Sequence, residues 1–105
     1  MSRAAGAAAL VALLLGCGPS EAQKSELARL TVHSWTATLQ KTADALDRRA
    51  VPLLYARQVV VAAQEARAEQ SAGPEWSALP ARERAALDEA IHKLAARIGQ
   101  SGPSR

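Results

Sequence analysis

The stretch that decides the fold runs from residue 32 to residue 53 and reads VHSWTATLQKTADALDRRAVPL. Its apolar residues recur at steps of three or four, at Val32, Trp35, Leu39, Ala43, Leu46, Ala50 and Leu53. This spacing puts them on one face of an α-helix, because a helix has about 3.6 residues per turn. The helix is predicted to begin near residue 20, since Ser20 and Gln23 have the spacing of a capping box.

Pro52 interrupts this pattern. Proline disfavours helical backbone at the residue before it, here Val51, and removes one helical N–H. The residues from Asp47 to Val51 include no Gly or Asn, the types that usually supply the left-handed residue of a tight reversal. We therefore expect a kink, or a break of a few residues, rather than a clean hairpin.

The rest of the chain predicts two more helical segments. The first runs from Leu53 to Ser71, and its predicted face carries Tyr55, Val59, Ala62, Ala63 and Ala66. Ala72-Gly73-Pro74 is the clearest loop signal, with Gly73 suited to the position after a helix. Residues 74–79 are expected to form a helical turn.

The last helix is predicted from Pro80, in its first position, to about Ile98, with Gly99 just past its end. Its stripe of Leu87, Ile91, Leu94 and Ile98 is expected to pack antiparallel against residues 53–70. The predicted fold class is all-α: a small helical hairpin or three-helix arrangement, with a long Pro-kinked helix and an antiparallel C-terminal helix.

Length and composition limit the function classes. A chain of 105 residues has room for one domain. With 49% hydrophobic but only 3% aromatic residues, the chain does not have the profile of a sheet protein. The net charge is +3 and the longest basic run is the pair Arg48–Arg49, so the sequence does not predict nucleic-acid binding.

The N-terminus has the layout of a signal peptide, with Arg3 followed by an apolar run over residues 4–15. Twelve helical residues cover roughly 18 Å, too short for a bilayer core of ~30 Å. The run ends in Leu14-Leu15-Gly16-Cys17, which resembles the lipobox of bacterial lipoproteins. The alternatives are that Cys17 is an ordinary buried cysteine or lies just beyond an ordinary signal-peptidase site.

The resemblance implies a lipid anchor. Cleavage would fall between Gly16 and Cys17, and the Cys17 thiol would carry a diacylglyceryl group. The expected organisation is a signal peptide over 1–16, a lipidated tether over 17–20, a helical domain over 21–99 and a disordered tail over 100–105. Gly18 in place of the Asp that commonly marks inner-membrane retention implies the outer membrane, facing the periplasm.

Few residues suggest chemistry. His33-Ser34 could be proposed as base and nucleophile, but adjacent helical residues point about 100° apart. Asp88 and His92 share a helical face, as two metal ligands would, yet the chain has only one other His. We therefore predict no catalytic residue, no metal and no cofactor, and interpret Asp88–His92 as an ion pair.

The remaining candidates are contact residues. Trp35, Tyr55 and Trp76 could line a cleft for a ligand or partner, or could be core residues in a chain that has no Phe. Residues 17–105 hold 19 alanines and only 19 larger apolar residues, a thin core that favours a protein partner or self-association. The predicted function is a lipid-anchored, non-enzymatic helical interaction or scaffold module; the alternative is a binder of a small ligand or envelope polymer through an aromatic-lined cleft.

Overall fold

The computed structural model describes residues 20–101, which form three α-helices. These are α1 (Glu21–Asp47), α2 (Leu53–Ala72) and α3 (Ala81–Ser101). Each helix contacts the other two, and this part of the chain contains no strand, so the predicted all-α class is confirmed. The predicted signal peptide, Cys17 and residues 102–105 lie outside the described residues.

The capping box at the start of α1 is present as predicted. The backbone N–H of Gln23 donates to Ser20 Oγ at 3.1 Å, and the backbone N–H of Ser20 donates to Gln23 Oε1 at 2.9 Å. Two of the free N–H groups at the helix start are thereby satisfied.

Of the two forms expected at the junction between α1 and α2, the structure has the break, with five residues between two distinct helices. Arg49 has φ 58, in the left-handed region. Its N–H donates to Leu46 O at 3.0 Å, and the N–H of Ala50 donates to Ala45 O at 2.7 Å. This is the Schellman pattern that usually has Gly at its left-handed position. The chain reverses here despite the absence of Gly.

Ion pairs between the helices establish an up–down–up arrangement. His33 and Asp47 of α1 pair with Glu83 and Arg97 of α3, at the same interval along both helices, so α1 and α3 run parallel. Arg67, near the end of α2, pairs with Asp88 in the first half of α3. Helix α2 therefore runs antiparallel to α3, as the sequence predicted.

The core lies along the contact between the three helices. Its largest fully buried side chains are Val32 and Leu39 of α1 and Leu87 and Leu94 of α3. Helix α2 contributes smaller residues, namely Ala56, Val59, Val60 and Ala63. This buried face is rotated from the predicted one, because Tyr55 is exposed and Ala62 and Ala66 are only half-buried.

The loop between α2 and α3 and the end of α3 also differ in detail from the predictions. Gly73 follows α2 with φ −88, so it is not the left-handed residue that its position suggested. Residues 74–78 form successive turns, as predicted, with Trp76 N–H donating to Gly73 O at 3.4 Å. Pro80 directly precedes α3, and α3 continues through Gly99 to Ser101, two residues into the expected tail.

None of the three helices described is long and apolar enough to cross a membrane.

Candidate functional site

The densest group of polar side chains in residues 20–101 lies between the first halves of α1 and α3. Glu83, in the first turn of α3, is only 8% exposed. Arg29 Nε lies 3.2 Å from both of its carboxylate oxygens, and His33 Nε2 lies 3.1 Å from Oε1. We call these three residues the Glu83 cluster.

Electrostatics keep the Glu83 carboxyl charged. Burial acts to raise its pKa, but hydrogen bonds from His33 and Arg29, together with their charges, outweigh that effect and hold the pKa of Glu83 below its ordinary value. The charged Glu83 carboxylate therefore joins α3 to α1 through its contacts with Arg29 and His33.

A groove of about 490 Å³ opens beside this cluster. Small residues form much of its surface, since Thr36 and Ala37 of α1 face Ala86 of α3. Its polar lining, apart from Glu83, consists of Arg29, His33, Thr36, Gln40 and Arg82. Arg29 Nε and His33 Nε2 are directed to Glu83 and the Thr36 hydroxyl to Val32 O, which leaves the Arg82 guanidinium and the Gln40 amide as further donors in the groove.

The structure separates His33 from Ser34. Ser34 lies in a different shallow groove, with Leu27, Leu30, Thr31 and Trp35. The hydroxyl in the groove beside His33 belongs to Thr36, and it donates to Val32 O at 2.9 Å. The structure brings no hydroxyl nucleophile to His33 within the described residues.

Asp88 is engaged by another helix. Both its carboxylate oxygens accept from the guanidinium of Arg67, and that guanidinium lies 5.2 Å from the ring centre of Trp76. The interpretation of Asp88–His92 as an ion pair is therefore replaced by an α2–α3 pair, while His92 is exposed. No three His, Cys, Asp or Glu side chains among residues 20–101 are grouped to hold a metal ion.

The three aromatic residues do not share a cleft. Trp35 and Trp76 are half-buried and pack against the core. Tyr55 is 46% exposed and lines a shallow groove with Thr38 and Lys41. Trp35 and Tyr55 therefore line different grooves of residues 20–101, and neither of these two grooves contains Trp76.

The largest apolar residues left in solvent include two on the side of α2 that faces away from the core. Leu54 is 65% exposed and Val61, one heptad later, is 53% exposed. They line a shallow groove of about 400 Å³ with Arg57, Gln58, Ala62 and Glu65. We call these six residues the outer face of α2. Leu54 and Val61 fall off the predicted core face of this helix, so its apolar periodicity did not indicate this surface.

Arg48 and Arg49 are both exposed at the α1–α2 junction.

Comparison with protein-family models, curated proteins and solved structures finds no match to this chain.

Proposed function

We propose that this chain is a lipid-anchored, non-enzymatic interaction module of the bacterial envelope. The proposed export and lipid anchoring are supported by Arg3, the apolar run over residues 4–15 and the lipobox-like Leu14-Leu15-Gly16-Cys17. The helical domain starts at once after this segment, because Ser20 caps α1. The lipid on Cys17 would therefore hold the bundle within a few residues of the membrane surface, in the outer membrane and facing the periplasm.

The outer face of α2 is the main structural support for the proposed interaction role. A helix that only completed a bundle would have polar residues on its outer side. Here Leu54 and Val61 are more than half exposed, while α2 buries only alanines and valines. Exposed apolar surface with charged neighbours, here Arg57 and Glu65, is typical of a protein-binding face.

The polar clusters support a structural rather than a catalytic role. Each of the three ion-paired groups joins two helices: Glu83 with α1, Asp47 with α3 and Asp88 with α2. An acyl-transfer site would need a nucleophile within reach of His33, and the nearby Thr36 hydroxyl is used by the backbone.

Crosslinking in cells tests the interaction role. A photo-crosslinking amino acid at Val61 should give a discrete adduct, because a partner covers that position. The same substitution at Glu89, which is exposed on α3, is the matched control and should give none. Adducts of equal yield at both sites, or at neither, would contradict the role.

The proposed lipid anchor on Cys17 needs a separate test. Wild-type protein should partition into detergent and begin, by mass spectrometry, at an acylated Cys17. Cys17→Ser should block acylation, since a hydroxyl does not replace the thiol, and cleavage should stall. An unmodified Cys17 in a water-soluble fraction would overturn the anchor.

A second candidate function is supported by the groove beside the Glu83 cluster. The Arg82 guanidinium in this groove suits a small ligand that carries a carboxylate or phosphate group, since guanidinium groups bind such anions through paired hydrogen bonds. Titration with inorganic phosphate should then shift the NMR signals of Arg29 and Arg82, and Arg82→Gln should weaken binding while Arg57→Gln does not. No saturable shift, or equal loss in both variants, would dismiss this candidate.

A further inference from the structure

The outer face of α2 consists of two parallel ridges. Residues four apart on a helix stack into a ridge, and here Leu54, Gln58 and Ala62 form one while Arg57, Val61 and Glu65 form the other. The groove of about 400 Å³ lies along these ridges. A ridge from another helix can pack into such a groove, most often at a crossing angle of about 50°.

The second ridge is complementary to itself when reversed. It has a positive end at Arg57, an apolar centre at Val61 and a negative end at Glu65, with the charges spaced equally on either side of the centre. Among residues 20–101, neither Arg57 nor Glu65 forms an ion pair. Both charges are exposed and available to a second molecule.

We propose that the outer face of α2 binds the same face of a second copy of this chain, in an antiparallel pair with its twofold axis at Val61. The proposal rests on the proposed interaction role and names its partner. A twofold axis reverses the order of residues along the ridge, so Arg57 meets the partner subunit's Glu65 and Glu65 meets the partner subunit's Arg57. Each ion pair therefore occurs twice, on the two sides of an apolar centre.

The sequence of charges favours a second copy over an unrelated protein. An interface built by twofold symmetry must use one self-complementary patch, and this ridge meets that condition with opposite charges at equal distances from one apolar residue. The patch is small, so affinity in dilute solution would be low. Anchoring on one membrane raises the effective concentration of copies, which compensates for a weak contact.

Symmetry also determines how the bundles would lie. Two chains anchored on one membrane need their Ser20 residues at the same height. In an antiparallel pair this requires the twofold axis to be perpendicular to the membrane, so the helices lie along the surface. Upright bundles would place the two starts of α1 at opposite ends of the pair, at different heights above the membrane.

Disulfide trapping in cells is the direct test. A residue on the twofold axis meets its own copy, so Val61→Cys should form a disulfide-linked species of twice the chain mass after mild oxidation. Glu89→Cys gives the background from random collisions. The wild-type chain, whose only cysteine is Cys17, shows whether that thiol is blocked.

Charge reversal then tests the geometry. In the Val61→Cys background, Arg57→Glu or Glu65→Arg should each lower the dimer yield by about tenfold, because two attractive pairs become two repulsive ones. The double reversal should restore the yield. Arg48→Glu, an exposed cation away from this face, should leave it unchanged, and unchanged melting of the exposed-site variants would show that the fold is intact.

The outcomes separate the two proposals. Rescue by the double reversal supports the antiparallel dimer. A Val61→Cys adduct with a different protein overturns self-association but leaves the interaction role standing. Dimer yield no higher than that of Glu89→Cys overturns the dimer, and photo-crosslinking at Val61, which needs no thiol on the partner, then decides the interaction role. Dimers that do not respond to charge reversal overturn the proposed pairing.

Discussion

The pair formed by α1 and α3 contributes more to the buried core than α2 does. The α1–α3 contact is the more extensive one and contains the largest buried side chains, Leu39, Leu87 and Leu94. Ion pairs close it at both ends, at Glu83 and at Asp47. Helix α2 buries only alanines and valines, and it leaves Leu54 and Val61 in solvent, as α1 leaves Leu27 and Leu30.

This difference shows a division between a pair of helices that forms most of the core and a middle helix that contributes little to it. The first and last helices form a clamped parallel pair, while the middle helix supplies a thinner buried face and an apolar outer one. An exposed apolar residue such as Leu54 is expected to contribute little to the stability of the isolated bundle. Its contribution would come from a contact that the single chain does not make.

The largest effect should come from the same substitution on the two sides of this comparison. Leu94→Ala, at a site with 0% exposure, should lower the free energy of unfolding by about 2–5 kcal/mol. Leu54→Ala, on the outer face, should change it by less than about 0.5 kcal/mol. Urea unfolding followed by circular dichroism measures both, and equal losses would refute the division.

The ion pairs of Glu83 and Asp47 between α1 and α3 should make the stability of the fold depend on pH. The pKa of Glu83 is lowered in the folded protein, where His33 and Arg29 outweigh burial, and the hydrogen bond from Arg97 lowers the pKa of Asp47. Such groups stabilise the fold above their ordinary pKa, and the contribution is lost as pH falls through the lowered value.

Glu83→Gln should therefore reduce the loss of stability on acidification, seen as a smaller shift in the urea midpoint between neutral and acidic pH. Glu89→Gln, on the exposed side of α3, is the control. If Glu83→Gln keeps the full acid sensitivity of the wild type, the charged Glu83 carboxylate does not stabilise the α1–α3 contact.

The smallest effect concerns the junction that leads into α2. Arg49 holds a left-handed conformation, which costs a non-glycine residue roughly 1–2 kcal/mol. Arg49→Gly should raise the melting temperature slightly, because relief of this strain exceeds the added entropy of the unfolded chain. Arg48→Gly, at φ −85, should lower it. The reverse order of melting temperatures would count against the observed junction.

The predicted helices follow from local patterns. The capping box at Ser20 and the apolar spacing from Val32 to Leu46 depend on neighbours within a turn or two, and each is present. The antiparallel pairing of α2 and α3 followed from Gly73 and Pro74, which allow reversal. The stripe of α3 was expected to pack against residues 53–70; α3 does contact α2, but its more extensive contact is with α1.

The rest depends on contacts that spacing does not reveal. Arg29 and Glu83 are separated by 54 positions, so their pairing requires knowing that α1 and α3 run parallel. That direction depends on the reversal at Arg49, where the backbone adopts a conformation that residue type disfavours. Tertiary packing also rotated α2, which buried Ala56 and Val60 and exposed Tyr55.

Labelling of a single thiol on the outer face of α2 tests the interaction role most directly. Val61→Cys should react poorly with a membrane-permeant maleimide in intact envelopes and fully after detergent disperses the protein, since a partner covers the outer face in the membrane. Glu89→Cys should react equally in both states. If Val61→Cys reacts in intact envelopes as readily as Glu89→Cys does, the outer face of α2 is open to solvent and the proposed role is contradicted.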